Sequence, residues 1–326
     1  MFSFYILIFI ICCVLLYFSG EWIIGGLMRI AKFLGWREFV VAFFVMAFAA
    51  SLPNLFIGIT SALKGIPQLS FGDIAGNNLI AMTLAVALGV LAAKNREIPA
   101  ESRMAQTTLV FTIAAAILPL LLIRDNTLSR ADGLLLMAFF AFYVYWLFSK
   151  KERFAKIYND RQTRQIPIAK ELKLFFKDAG KLVLGIIFLI ISAQGIVVSA
   201  QFFARSFNVS IILIGLLITS FGNALPDIYF AIVSARKGET WMILGGLMGA
   251  VIMLSTLVLG IVSLIHPIEI LDFTPLIIAR IFLIISALFF FFFVRTGRQI
   301  TKKEALFLIL IYIAFVLVAL SQGVDF

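Results

Sequence analysis

The chain has 326 residues, of which 63% are hydrophobic and 13% charged, with a mean hydropathy of +1.10. Soluble domains have roughly half apolar and a quarter charged residues, and a core of this size could not hide so many apolar side chains. The composition therefore excludes a soluble multidomain protein, a disordered chain, collagen and a disulfide scaffold, and it indicates a protein that folds in lipid.

Ten continuous apolar stretches are long enough to cross the bilayer as helices, which takes about 20 residues each. In chain order, spans 1 to 10 are predicted at residues 2–19, 38–63, 70–92, 105–123, 131–149, 182–201, 209–235, 241–265, 275–294 and 304–321. Polar residues do not alternate with apolar ones along these stretches, so the pattern favours helices over a β-barrel. We predict an all-α, multi-pass integral membrane protein.

Lysine and arginine are distributed very unevenly between the loops. Loops after odd-numbered spans hold 22 of them, and loops after even-numbered spans hold 4. By the positive-inside rule the odd-numbered loops are cytoplasmic, which predicts a protein of the cell (plasma or inner) membrane with both termini outside. The net charge of +10 is then explained by topology, and we predict no nucleic-acid partner.

The longest loop, residues 150–181, divides the chain into two sets of five spans, 1–149 and 182–326. It is basic, and we interpret it as a solvated linker that lies near anionic headgroups. A regulatory or partner-binding function is the alternative. Elsewhere the chain has a single histidine, His266, and two adjacent cysteines in span 1. This composition excludes a histidine/cysteine zinc site and argues against a Ser-His-Asp triad.

The two halves carry the same motif. Residues 51–65 align without a gap on residues 224–238, at an offset of 173, and seven of the fifteen positions are identical. The same offset carries Gly72 onto Gly245. Because an odd number of spans separates the two copies, equivalent helices cross the membrane in opposite directions. This pattern predicts an inverted-topology repeat, which is typical of secondary transporters that bind substrate at mid-membrane between the halves.

A proline lies at the centre of each copy. Pro53 and Pro226 lack the amide hydrogen that would bond four residues back, so the carbonyls of Ala49 and Gly222 lose their helical partner. At membrane depth such carbonyls need another partner, and a cation is a suitable one. The polar candidates for this cation site are Ser51 and Asn54 in span 2, Asp73, Asn77 and Asn78 in span 3, and Asn223 and Asp227 in span 7.

Of the 17 acidic residues, only Asp73 and Asp227 lie well inside predicted spans. A charge at that depth costs at least about 2.5–3.5 kcal/mol on insertion scales, which makes both residues candidates for a metal or cation ligand. Asp73 has an alternative interpretation as a cap near the start of span 3. We expect Asp227 to lie near the bilayer midplane and to face Asn54 across the interface between the repeats.

These motifs resemble the paired alpha repeats of the sodium/calcium exchanger family of cation/calcium antiporters, which read roughly Gly-Thr-Ser-Leu-Pro-Glu and Gly-Asn-x-x-Gly-Ser-Asn. The likeness is carried by Ser51-Leu-Pro-Asn54, Leu225-Pro-Asp227 and Gly72-Asp-Ile-Ala-Gly-Asn-Asn78. The resemblance implies ten transmembrane helices in two inverted five-helix repeats. It also implies cation antiport by alternating access, with Na⁺, Ca²⁺, K⁺ or H⁺ as the transported cations and no cofactor.

The positions that this family uses for ions differ here. The family glutamate of the first repeat aligns with Asn54, and that of the second aligns with the shorter Asp227. Ala81 in span 3, and Ala250 and Leu254 in span 8, stand at further ligand positions and have no side-chain oxygen. Since calcium takes about 6–8 oxygens and usually several carboxylates, the differences imply an altered ion selectivity and a small contribution from span 8.

Three functions remain open from the residues. The first is a cation antiporter with calcium/sodium exchange as its default assignment, and the second is a transporter-derived membrane protein that no longer moves ions. The third is an intramembrane aspartyl protease, suggested by Phe71-Gly-Asp73 and Ala224-Leu-Pro226. Presenilin-like enzymes place a Tyr-Asp before the Gly-Asp, whereas here the second aspartate follows it.

Overall fold

The computed structural model describes residues 1–33, 46–100, 103–149, 168–238, 240–270 and 273–322, and most of them are helical. The helices, numbered like the predicted spans, are α1 Phe2–Phe33, α2 Met46–Leu63, α3 Pro67–Ala92, α4 Arg103–Leu122, α5 Arg130–Ser149, α6 Ile168–Phe207, α7 Ile211–Lys237, α8 240–265, α9 Phe273–Thr296 and α10 Lys302–Gln322. Nine helices of the described part are long and apolar enough to cross a membrane. The remaining one, α2, has a shorter apolar stretch, Ala50–Leu63, because residues 38–45 of predicted span 2 lie outside the described residues.

The prediction of an all-α membrane protein with ten transmembrane helices is confirmed. Two helices extend beyond their predicted spans: α1 continues to Phe33, and α6 begins at Ile168, inside the segment predicted as a basic loop. Hydropathy marks only the part of a helix that lies in lipid, whereas lysine, glutamate and leucine favour helix in water as well. The division into 1–149, 150–181 and 182–326 stays a prediction.

The repeat of the sequence is preserved in the backbone. In α3, the segments are Pro67–Ile80, a π-helical turn Ala81–Ala85, and Val86–Ala92. Adding the offset of 173 gives the segments of α8, which are Thr240–Met253, a π-helical turn Leu254–Val258, and Leu259–Ile265. In each π turn a threonine hydroxyl, that of Thr83 or Thr256, donates to a carbonyl of the preceding turn. The two helices therefore share their local geometry residue by residue.

In the part of the chain that the structure describes, four short strands connect the loops in two antiparallel pairs. They are β1 Glu97–Pro99, β2 Thr127–Leu128, β3 Ile268–Glu269 and β4 Gln299–Thr301. β1, after α3, pairs with β4, after α9, while β2, after α4, pairs with β3, after α8. Paired strands must lie on the same side of the membrane. The pairing thus agrees with helices that cross in alternating directions, odd-numbered loops being on one side and even-numbered loops on the other.

The helices α3 and α7 cross very closely at the centre of the fold. A Cβ atom on Gly72 or Gly76 would overlap a backbone carbonyl oxygen of α7, and a Cβ on Gly215 would come within 2.5 Å of the Leu69 carbonyl oxygen. Small residues allow backbones to approach in this way inside lipid. The close crossing brings the polar face of α3 against the proline-containing segment of α7, and this contact positions the candidate site.

Candidate cation site

The helices α2 and α7 both continue through their central proline. Because proline has no amide hydrogen, the carbonyls of Ala49 and Gly222 receive no helical hydrogen bond at that point. Among the polar residues near these positions, Ser51 bonds within its own helix, since its hydroxyl donates to the Ala47 carbonyl at 2.8 Å. Its oxygen keeps lone pairs for a further partner.

Asp73 lies at the centre of the candidate site. It is 0% exposed and stands well inside α3, which begins at Pro67, so the interpretation as a helix cap is wrong. Its Oδ2 accepts two hydrogen bonds, from Asn54 Nδ2 at 3.1 Å and from Asn223 Nδ2 at 3.2 Å. One donor comes from each repeat. The structure therefore places a single carboxylate across the interface between the two halves.

Asn77 lies near both carboxylates of the candidate site. It lies four residues after Asp73, so the two side chains share a face of α3. The carboxyl of Asp227 in α7 is close enough to the Asn77 side chain to interact with it electrostatically. Asp227 is partly exposed, whereas the other six candidate side chains are buried. Asn77 thus lies between a fully buried carboxylate and one that solvent or an ion can reach.

Asn78 is held by a residue that the sequence did not indicate. Its Nδ2 donates to the hydroxyl of Ser255 at 2.6 Å, and Ser255 lies in the π turn of α8. Ser255 aligns with Met82 under the repeat offset, so neither the internal alignment nor the family pattern pointed to it. The expectation that span 8 contributes little needs this correction: Ala250 and Leu254 offer no oxygen, but Ser255 orients a neighbouring amide.

Four buried oxygens of these residues have no hydrogen-bond partner. They are the Oδ1 atoms of Asp73, Asn77, Asn78 and Asn223. A buried polar atom without a partner costs roughly 1–3 kcal/mol, so such atoms are usually satisfied by water or an ion. Carboxylate and amide oxygens are the ligands that hard cations such as sodium and calcium take. The arrangement can bind a cation, and with no donor hydrogen on these atoms it is poorly suited to an anion.

The structure brings most of the predicted site residues together, but the hydrogen-bonded pairs differ from the expected contact between Asn54 and Asp227. Asn54 bonds to Asp73 rather than to Asp227, although α2 and α7 do contact each other. Thr219, one turn before Asn223, was also missed; its buried hydroxyl oxygen has no hydrogen-bond partner. Thr219 lies outside the repeated motif of residues 224–238, so the internal alignment did not point to it.

Comparison with known proteins gives a consistent result. A family model described as sodium/calcium exchanger protein matches residues 4–149 and 178–321. The chain is 26% identical to the putative antiporter CaxA of Alkalimonas amylolytica, over 78% of each chain. It is 23% identical to the sodium/calcium exchanger MaX1 of Methanosarcina acetivorans, over 96% of this chain and 97% of that protein.

A solved structure shows the same fold. The sodium-calcium exchanger NCX_Mj, soaked with sodium and calcium, superposes with a TM-score of 0.66 at 22% identity, over 97% of this chain and 98% of that one. The uncharacterized membrane protein MJ0091 of Methanocaldococcus jannaschii is 24% identical over 74% of this chain and 76% of its own length. The likeness extends well beyond the repeated motifs and includes both sets of helices.

Proposed function

Because the chain belongs to the sodium/calcium exchanger family, we propose that it is a secondary-active cation antiporter that works by alternating access at the site around Asp73 and Asp227. The observation that carries this proposal is the buried Asp73 carboxylate, held by one amide from each repeat while its Oδ1 has no partner. Because Asp73 is hydrogen-bonded to both halves, a movement of one half relative to the other would change the geometry of this ligand. Family membership also favours transport over the intramembrane protease.

The charge of the site supports exchange. One carboxylate alone would match a monovalent cation or a proton better than calcium. With Asp73 fully buried beside Asn77, the site holds two carboxylates, whose formal charge balances one divalent or two monovalent cations. We propose that both kinds of cation compete for these oxygens, with relative affinities altered because Asn54, Ala81, Ala250 and Leu254 replace the ligand types of the family pattern.

The orientation follows from the distribution of basic loops. We propose that the protein lies in the cell membrane with residues 150–181 in the cytoplasm and both termini outside. Cysteines introduced at Asn159 and Asp325 provide the test with a membrane-impermeant maleimide on intact cells. Labelling at position 325 and protection at position 159 is the expected result, and the opposite pattern would contradict the positive-inside argument.

Flux through the purified protein in liposomes tests the function directly. We expect a sodium gradient to drive uptake of a second cation, measured with radioactive calcium, radioactive sodium, a potassium indicator and a pH dye in parallel. Protein-free liposomes and liposomes with Asp227→Asn are the controls. If tight liposomes show no flux of any of the four cations, the chain is a transporter-derived membrane protein without transport activity.

A further inference from the structure

The two repeats carry their acids on different helices. Under the offset of 173, the counterpart of Asp227 in α7 is Asn54 in α2, and the counterpart of Asp73 in α3 is Gly246 in α8. Each repeat thus supplies one carboxylate inside a membrane-spanning helix, but the first repeat supplies it from α3 and the second from α7. Internal symmetry alone would have placed the first carboxylate at position 54.

Position 54 and Asp73 are in direct contact. Asn54 Nδ2 donates to Asp73 Oδ2 at 3.1 Å, and both residues are almost completely buried. The carboxylate of the first repeat therefore lies one hydrogen bond away from the side chain at position 54, where the repeat symmetry would place it. The second donor to the same oxygen, Asn223, leaves Asp73 Oδ1 without any partner.

We propose that Asp73 in α3 carries the cation-binding charge that the repeat symmetry would place at position 54. Asn54 and Asn223 are then positioning residues: they hold Asp73 Oδ2 and so direct Oδ1 to the cation. This inference rests on the proposed function and adds to it which residue carries the charge of the first repeat. Its consequence is that the acid and the amide are interchangeable between positions 54 and 73.

The hydrogen bonds allow this interchange. In a chain with Asn54→Asp and Asp73→Asn, the amide nitrogen at position 73 has two hydrogens. One donates to the new carboxylate at position 54. The other donates to Asn223 Oδ1, which has no partner in the present structure, once the Asn223 amide turns over. The double variant thus keeps the net charge, the volume and both hydrogen bonds at position 73, while it moves the carboxylate to position 54 and turns the Asn223 oxygen toward position 73.

The experiment compares Asp73→Asn with the double variant Asn54→Asp/Asp73→Asn, both purified as the full chain. We expect Asp73→Asn to weaken the apparent affinity for the transported cation by about ten- to a hundredfold, because a charged ligand is lost. The double variant is expected to recover affinity to within about threefold of the wild type. Asp125→Asn, which removes an exposed carboxylate between α4 and α5, is the matched control and should behave like the wild type.

Two readouts separate binding from transport: the KM and maximal rate of flux in liposomes, and the rise of the melting temperature with sodium or calcium in detergent. The melting curve also reports whether each variant is folded. Asn54→Ala and Asn223→Ala keep the acid and remove one donor each, so they should raise KM by about threefold to tenfold, with the larger rise in Asn223→Ala, which also removes the unpartnered Asn223 Oδ1.

The outcomes distinguish the two proposals. If the wild type shows neither flux nor stabilisation by any cation, the proposed function fails and this inference fails with it. If the wild type responds but the folded double variant is no better than Asp73→Asn, or Asp73→Asn equals the wild type, only this inference is wrong. Should the aspartate variants not fold, an unchanged KM in both alanine variants would overturn it.

Discussion

The face of α3 that meets the site holds Asp73, Asn77 and Asn78, whereas the equivalent positions of α8 hold Gly246, Ala250 and Val251. The two helices nevertheless have matching segments, including a π turn at the same place. The threonine that bonds back within the π turn is common to both. The residues that shape the backbone are therefore shared by α3 and α8, while the polar residues of this pair that can bind a cation are concentrated in α3.

This difference gives α8 a supporting function. Its contribution to the candidate site is the Ser255 hydroxyl, which holds Asn78 and leaves the amide oxygen of Asn78 free. An inverted repeat thus requires two similar backbones to alternate between states, but it does not require two similar sets of ligands. Variants in the two repeats measure how far the residues that shape the backbone and the residues that bind the cation can be changed independently.

The largest effect is expected at Asp227, the acid of the second repeat. Asp227→Asn keeps the shape of the side chain and removes one of two carboxylates, so we expect transport to fall at least about a hundredfold, as the loss of a charged ligand predicts. Flux in liposomes is the measurement. High-affinity calcium uptake that persists in this variant would show that the site lies elsewhere.

A stability effect is expected at the crossing of α3 and α7. In Gly76→Ala the new methyl group would overlap the Leu216 carbonyl oxygen and the Ser220 hydroxyl, so we expect a destabilisation of about 1–3 kcal/mol. Gly246→Ala in α8 is the control at a glycine outside this crossing, because its methyl group would meet the Phe230 ring at 3.1 Å, and a ring can move. Melting temperatures in detergent compare the two; equal losses would contradict a special role for the α3–α7 crossing.

The smallest effect is expected at Ser255. Ser255→Ala removes the hydrogen bond to Asn78, whose net value is about 0.5–1.5 kcal/mol, so the KM for the cation should rise only about two- to tenfold. Its neighbour in the same π turn provides the control: Leu254→Ala shortens a buried apolar side chain and should lower stability while leaving KM unchanged. A larger change of KM in Leu254→Ala would mean that packing of α8, not Ser255, governs the site.

The sequence predicted the features that depend on composition along the chain. Apolar stretches locate the helices because lipid requires about 20 apolar residues per crossing, and a gapless offset of 173 locates the repeat because both copies keep the same spacing. The same reasoning selected Asp73 and Asp227, since charges are rare inside spans. It did not predict which residues surround each aspartate, because depth along a helix says nothing about which neighbours a side chain meets.

Only the tertiary structure decided how the candidate residues are paired. The bonds from Asn54 and Asn223 to Asp73 join residues 19 and 150 positions apart, and the bond from Asn78 to Ser255 spans 177 positions. Such pairs depend on how closely helices cross, here on the glycines that let α3 approach α7. The sequence by itself determined the membrane spans, the inverted repeat and the set of polar residues available. Packing then selected the partners, because helix crossings are set by shape over many residues at once.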